Sequence, residues 1–137
     1  MNKIHEDNFT VYYENTDSSG LTYHTSYLCW AERSRCNLLR LNFPETLQFL
    51  QKNSFFFVVK NIKVDFLKPS TLFDNLNVET FFVDNSFTSI ELLQKLNLKK
   101  KLICKINVLL VWIDGGSKKP SKIPNDIISR FKSLSVV

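Results

Sequence analysis

An α+β fold, one long helix packed on a curved antiparallel sheet of about five strands, is what the order of patterns in this 137-residue sequence predicts. Three observations carry the prediction. Apolar and small residues recur at helical spacing from Tyr23 to Leu41, four strand-like segments follow in succession, and turn-forming residues separate them.

Phe9, Val11 and Tyr13 alternate with Thr10, Tyr12 and Glu14, the period-two signature of a strand. Asn15 to Gly20 follows as a loop, so this first strand ends just before Asp17. Tyr23, Tyr27, Trp30, Ala31, Ser34, Leu38 and Leu41 then line one side of a helix, with Glu32, Arg33, Arg35 and Arg40 mostly elsewhere. No glycine or proline interrupts it before Pro44, which gives about five turns. Glu32 with Arg33 or Arg35 reads as a structural ion pair rather than an acid catalyst.

Pro44 to Lys52 fits a short second helix. Phe55 to Leu67 is a long aromatic and β-branched run ended by Pro69, hence a strand. Leu76 to Val83, Thr88 to Leu98 and Leu102 to Ile113 are three more, divided by Asp84-Asn85-Ser86 and Lys99-Lys100-Lys101; turns this short imply antiparallel pairing. Leu92 to Leu98 also has the composition of a helix, and strand is chosen there for continuity with its neighbours. Gly115-Gly116 closes the last strand, and Pro124-Asn125-Asp126 opens an amphipathic helix carrying Ile127, Ile128 and Phe131.

The composition, 44% hydrophobic and 13% aromatic, supplies one core, and residues 1–137 read as a single domain. No apolar run approaches the roughly 20 residues of a membrane span, and the polar start, Met1 to Phe9, lacks a signal stretch; a cytoplasmic location is expected. Of three cysteines, Cys29 and Cys36 lie roughly 10 Å apart along the helix and cannot pair with each other. With two histidines and no CxxC or HExxH spacing, neither a structural metal nor a cofactor is expected.

The net charge of +5 is unevenly spread. Residues 1–90 carry 8 basic and 10 acidic groups, a balance of −2, and residues 91–137 carry 10 basic and 3 acidic, a balance of +7. A basic region suits a phosphate-bearing small molecule, an acidic carrier protein or nucleic acid. No nucleic-acid motif accompanies the charge, so nucleic acid ranks last. Much of the lysine also fits an ordinary solvated surface.

The stretch Val11-Tyr-Tyr-Glu-Asn-Thr-Asp17-Ser-Ser-Gly20-Leu-Thr-Tyr23-His24-Thr-Ser-Tyr27, followed by Glu32-Arg33-Ser34-Arg35, resembles the signature of the 4-hydroxybenzoyl-CoA thioesterase family, and within it the YbgC-like branch. The likeness continues through Phe57-Val58-Val59, Val64-Asp65-Phe66 with Pro69, then Asp74, Leu76, Val78 and Glu79, and Val111, Asp114, Lys119, Pro120, Ile123 and Pro124. The first segment is specific; the later matches are mostly apolar. Ser18-Ser19 stands where the branch often has Ala-Gly, and Thr22 where an apolar residue is common, changes that leave the carboxylate and the turn in place.

The resemblance implies the hotdog fold, acyl-CoA thioester hydrolysis with Asp17 as the catalytic carboxylate, and assembly as a dimer or a tetramer built of dimers, with the acyl pocket between subunits. A thioester carbonyl needs a carboxylate to attack it or to activate water, and donors for the developing oxyanion. Asp17 answers the first need, and unpaired backbone N–H groups around Tyr23 and His24, at the positive end of the helix, answer the second. Gly20 lets the loop turn sharply and the substrate approach. His24 is placed to hydrogen-bond near the carbonyl or to orient Asp17, and reads equally well as a structural histidine. Tyr23 is assigned a site role and Tyr27 packing. Lys118, Lys119 and Lys122 are the candidate phosphate clamp, Phe57, Val58 and Val59 the candidate pocket wall, and Lys99 to Lys101 a solvated turn. An acyl-carrier-protein thioester is a second possible substrate, and a non-catalytic acyl-binding module on the same fold is the competing reading.

Overall fold

The computed structural model describes residues 1–52 and 54–136, with Leu50 and Gln51 described by backbone alone. Strand β1 (Lys3–Thr10) leads through an irregular segment to helix α1 (His24–Asn42) and helix α2 (Pro44–Gln51). Strands β2 (Phe55–Phe66), β3 (Asn75–Asn85), β4 (Ser89–Leu98) and β5 (Lys101–Asp114) follow, and helix α3 (Asn125–Ser133) closes the order. All five strands join one antiparallel sheet in the order β1-β3-β4-β5-β2. From β2 at one edge, the chain therefore crosses through residues 67–74, over the ends of β5 and β4, to reach β3 beside the other edge.

Helix α1 lies against the sheet with Tyr27, Trp30, Ala31, Ser34, Arg35 and Leu38 buried, the side its apolar spacing marks. Trp30 stacks on Phe9 of β1, and Ser34 Oγ donates to the Asp7 carboxylate at 2.8 Å, so that flank of the helix faces β1. Its first turn reaches the opposite edge, where the His24 and Tyr27 rings meet Phe66 of β2 at 6.1 and 5.9 Å. Beneath α1 and the chain's last helix are two apolar clusters. One gathers Leu38, Phe43, Ile90, Leu92, Val108, Trp112, Ile127 and Phe131; the other gathers Val11, Tyr27, Trp30, Leu76, Leu96 and Ile106.

Two expectations are corrected here. The first strand does not run to Glu14: Asn15 and Thr16 N–H donate to Tyr12 and Tyr13 O at 2.9 and 3.1 Å, winding Tyr13–Asn15 into a 3-10 turn. The strand instead starts at Lys3, where a bulge buries both Ile4 and His5 and so breaks the alternation. Nor does Glu32 pair with a neighbouring arginine among the described residues. The Arg33 guanidinium lies 6.0 Å over the Phe9 ring, and Arg35, 7% exposed, donates to Gln94 Oε1 at 2.8 Å. Gln94 Nε2 in turn donates to Ala31 O and Thr80 Oγ1, a buried polar staple between α1, β4 and β3. Burial pushes the Arg35 pKa down, opposed by Glu32.

Cys29 and Cys36 are exposed and unpaired, and burial pushes the Cys104 thiol up to about 12. No helix among the described residues is long and apolar enough to cross a membrane.

Candidate active site

Between the 3-10 turn and α1 the chain makes a tight hairpin around Asp17. Asp17 N–H donates to Leu21 O at 2.9 Å, Gly20 N–H donates back to Asp17 O at 3.1 Å, and Thr16 pairs with Thr22. Gly20 takes φ +84°, a left-handed conformation that side-chain-bearing residues resist. A Cβ there would meet nothing within 4 Å, so within one chain the turn, and not close approach, is what asks for glycine.

The hairpin is closed at its base and tied to the crossover. Tyr23 N–H donates to Asn15 O at 2.7 Å and Thr22 N–H to Ser70 O at 2.9 Å. Behind it, Ser70 Oγ sits 2.6 Å from Thr22 Oγ1 and 2.8 Å from Tyr27 Oη, a buried hydroxyl cluster that fixes the crossover to the helix. Tyr23 is thus the residue before the helix, with its own amide taken. The N–H groups of His24 and Thr25 donate to no backbone carbonyl among the described residues, so the free donors lie one residue further on than the sequence suggests. Ser26 N–H already folds back on Tyr23 O.

The Asp17 carboxylate accepts from the Ser19 N–H at 2.8 Å and from the Ser19 hydroxyl. The hydroxyl first, and the N–H second, hold its pKa below the usual carboxylate value. In the single chain this carboxylate is exposed. Two surface hollows of about 430 Å³ each lie elsewhere, one over Glu6, Asn77 and Glu79 and one beside Phe87, Lys122 and Ile128. The His24 ring rests on Tyr23 at 4.5 Å and against Phe66, without a hydrogen bond to Asp17.

The remaining candidates sit apart from Asp17. The chain after β5 folds back on it: Lys118 N–H donates to Asp114 O, Asp114 N–H to Lys119 O, and Ile113 bridges Pro120. Lys118 and Lys122 lie over the Phe56 and Phe87 rings at 5.6 and 5.8 Å. Asp114 pairs with the start of β2, whereas the Asp17 hairpin adjoins its finish; the ten residue steps of β5 from Cys104 to Asp114 span about 33 Å. At the Asp17 end the cations are Lys68, whose N–H donates to Ile103 O, and the Lys99-Lys100-Lys101 turn. Which lysines share an end with Asp17 depends on the strand order, which no local pattern in the sequence reveals.

Of the proposed wall, Phe57 faces the helix side in register with Trp112 and packs on it at 4.7 Å, within the core. Val59 shares that face, in register with Leu110, and is 48% exposed; Val58 points to the opposite face with Val111. Among the described residues no three His, Cys, Asp or Glu side chains gather as a metal site.

A long helix laid across a five-stranded antiparallel sheet is the arrangement of the hotdog fold. Residues 11–131 match the sequence model of the thioesterase-like superfamily. The acyl-CoA thioester hydrolase YbgC of Escherichia coli O6:H1 is 34% identical over 123 residues, 89% of this chain and 91% of that protein. Among solved structures, a 1,4-dihydroxy-2-naphthoyl-CoA thioesterase from Synechocystis superposes with a TM-score of 0.87 at 17% identity, covering 95% of this chain and 96% of that one. A Thermus thermophilus thioesterase complexed with coenzyme A and Zn gives 0.82 at 22% identity, covering 96% and 99%. The chain belongs to the thioesterase-like superfamily and is an enzyme of the thioester-hydrolase class.

Proposed function

We propose that the protein hydrolyses acyl-CoA thioesters to free acid and CoA, with Asp17 as nucleophile or general base. The helix-start amides of His24 and Thr25 polarise the thioester carbonyl. One observation carries this reading: the hairpin that bears Asp17 closes through the Tyr23 N–H to Asn15 O bond at 2.7 Å and runs directly into α1, whose first two amides have no backbone partner among the described residues. The likeness to YbgC over nine-tenths of the chain supports the substrate class.

A catalytic carboxylate left exposed in the single chain calls for a second copy to enclose it. Strand β2 is a sheet edge twelve residues long, with Val58 through Lys63 exposed along its middle. If two β2 edges pair antiparallel, the two-fold axis exchanges the ends of the sheet. Lys118, Lys119 and Lys122 of one copy then approach Asp17 of the other, which is where a CoA phosphate clamp is needed. The acyl pocket lies between subunits of this dimer, and a cytoplasmic location suits its substrate. An acyl-carrier-protein thioester is the alternative carrier.

The double hold of Ser19 on Asp17 favours a second reading, an acyl-CoA-binding module without turnover. Asp17→Asn separates the two. Thiol release from an acyl-CoA panel should fall by about three orders of magnitude or more, the expected loss of a covalent or general-base carboxylate, while the thermal transition stays in place. Unchanged turnover would remove Asp17 from the mechanism, and tight binding with no turnover in the unaltered protein would favour the module.

A further inference from the structure

The inner face of β2 carries an apolar strip that the described residues of the chain leave uncovered. Register with β5 sets Phe66 opposite Cys104, Val64 opposite Ile106, Ile62 opposite Val108 and Val59 opposite Leu110, all on the helix side of the sheet. Those β5 partners are almost fully buried, yet Phe66, Ile62 and Val59 are 51%, 40% and 48% exposed. In the single chain these half-exposed apolar side chains form a strip on the helix side of the sheet, beside the edge where a second copy would pair.

The strip has a defined beginning and end. It begins where the Phe66 ring meets His24 and Tyr27, at the helix turn that bears the free amides. It ends at Phe57, which is locked against Trp112 and Phe131 at 4.7 and 6.4 Å. From the Cys104 row to the Leu110 row it runs six residues, about 20 Å. It is one strand wide, and its four in-register side chains are apolar, with a bulge at Lys60 between Val59 and Ile62. The nearest polar group in its rows, Gln94, is two strands away from Val64 and fully occupied by Arg35, Ala31 and Thr80.

Resting on the hydrolase reading above, we propose that the acyl group is a long, linear, saturated-type chain of about 12 carbons or more, lying extended over Val64, Ile62 and Val59. With the carbonyl at the His24 and Thr25 amides, the tail runs down β2 to the Phe57 wall. A short acyl group would leave most of the strip empty, and a polar-ended one would meet no partner there. Ile62 and Val59 become the residues that set chain-length preference.

The test is thiol release by the full-length protein from acetyl-, butyryl-, octanoyl-, lauroyl- and benzoyl-CoA, each below its micelle concentration. The expected result is a kcat/KM at least tenfold higher for lauroyl- than for butyryl-CoA, well within what eight added methylenes can supply. In Ile62→Trp, and in Val59→Trp as a second variant, the lauroyl-to-butyryl ratio should drop at least fivefold. A ratio within twofold in the unaltered protein, or one that neither variant moves, overturns the inference and leaves the strip as a face covered by the second copy. Failure to cleave any thioester defeats the hydrolase reading instead. In that event lauroyl-CoA must still protect against urea unfolding more than butyryl-CoA does, or the strip is not an acyl site.

Discussion

At the end of the sheet where β2 begins and β5 finishes, Phe43 stacks on Phe131 at 4.4 Å and Phe49, Phe55 and Phe57 surround Trp112, with α2 and α3 closing over them. At the end where β2 finishes and β3 begins, Tyr12, Tyr13, Leu21, Tyr23, Phe66, Leu67 and Phe73 all remain 39% exposed or more. That same end holds three non-glycine residues in the left-handed region, Phe73, Lys99 and Lys100, against Lys118 at the other. The contrast separates an end with a buried aromatic core, where Phe87 and Leu47 are exposed only at the rim, from an end where exposure and backbone strain run together. The proposed catalytic carboxylate is on the strained, open side.

Truncation should break the contrast most visibly. Trp112→Ala removes a side chain that is 1% exposed and contacts three phenylalanines, and should cost about 3–5 kcal/mol in urea unfolding. Tyr13→Ala, at 77% exposure, should stay within about 0.5 kcal/mol. Comparable losses at the two sites would mean that both ends are equally consolidated, and the division drawn above would not hold.

A smaller effect sharpens the same comparison from the backbone side. Lys99 and Lys100, at φ 50° and 67°, occupy the two central positions of the β4–β5 turn, where asparagine and glycine are the low-cost pair. Replacing them with Asn-Gly should stabilise the protein by about 1 kcal/mol, read as a higher urea midpoint at unchanged slope. No gain would mean that the surrounding contacts already compensate the strain.

Much of this organisation is legible in the sequence because its punctuation is local. Asp84-Asn85-Ser86, Lys99-Lys100-Lys101 and Gly115-Gly116 each fall where a strand ends, and the spacing from Tyr23 to Leu41 matches α1 to within a residue or two. The first strand is hidden because it is an edge. Lys3 is bonded to Glu6 and Glu79 across its polar face, so the pattern there looks like surface rather than strand. The site is half legible for a related reason. Asp17 and Gly20 belong to one turn and can be read together, but the Tyr23 amide is taken by Asn15 through a bond between segments. Likewise, only the strand order shows that Lys118 and Asp17 stand at opposite ends of one chain.

The finest distinction between the two ends is electrostatic. The Ser19 hydroxyl donates to the Asp17 carboxylate and holds its pKa below the ordinary value of 3.8. A depressed carboxylate pKa keeps the ionised form present to lower pH, so the acid limb of kcat/KM, which reports the free enzyme, should lie below that value. Ser19→Ala removes the stronger of the two Ser19 donors and leaves the backbone N–H, so the limb should move upward, towards the ordinary carboxylate range, with little change in rate at neutral pH. Any linked stability is present above the unfolded-state pKa and lost as pH falls through the folded one. Because Asp17 is exposed, that contribution is screened and activity is the better readout. Ser117→Ala, in the corresponding loop at the closed end, should leave the limb in place. A limb that stays put in Ser19→Ala, or moves equally in both variants, would mean that the titrating group is not the Asp17 carboxylate held by Ser19.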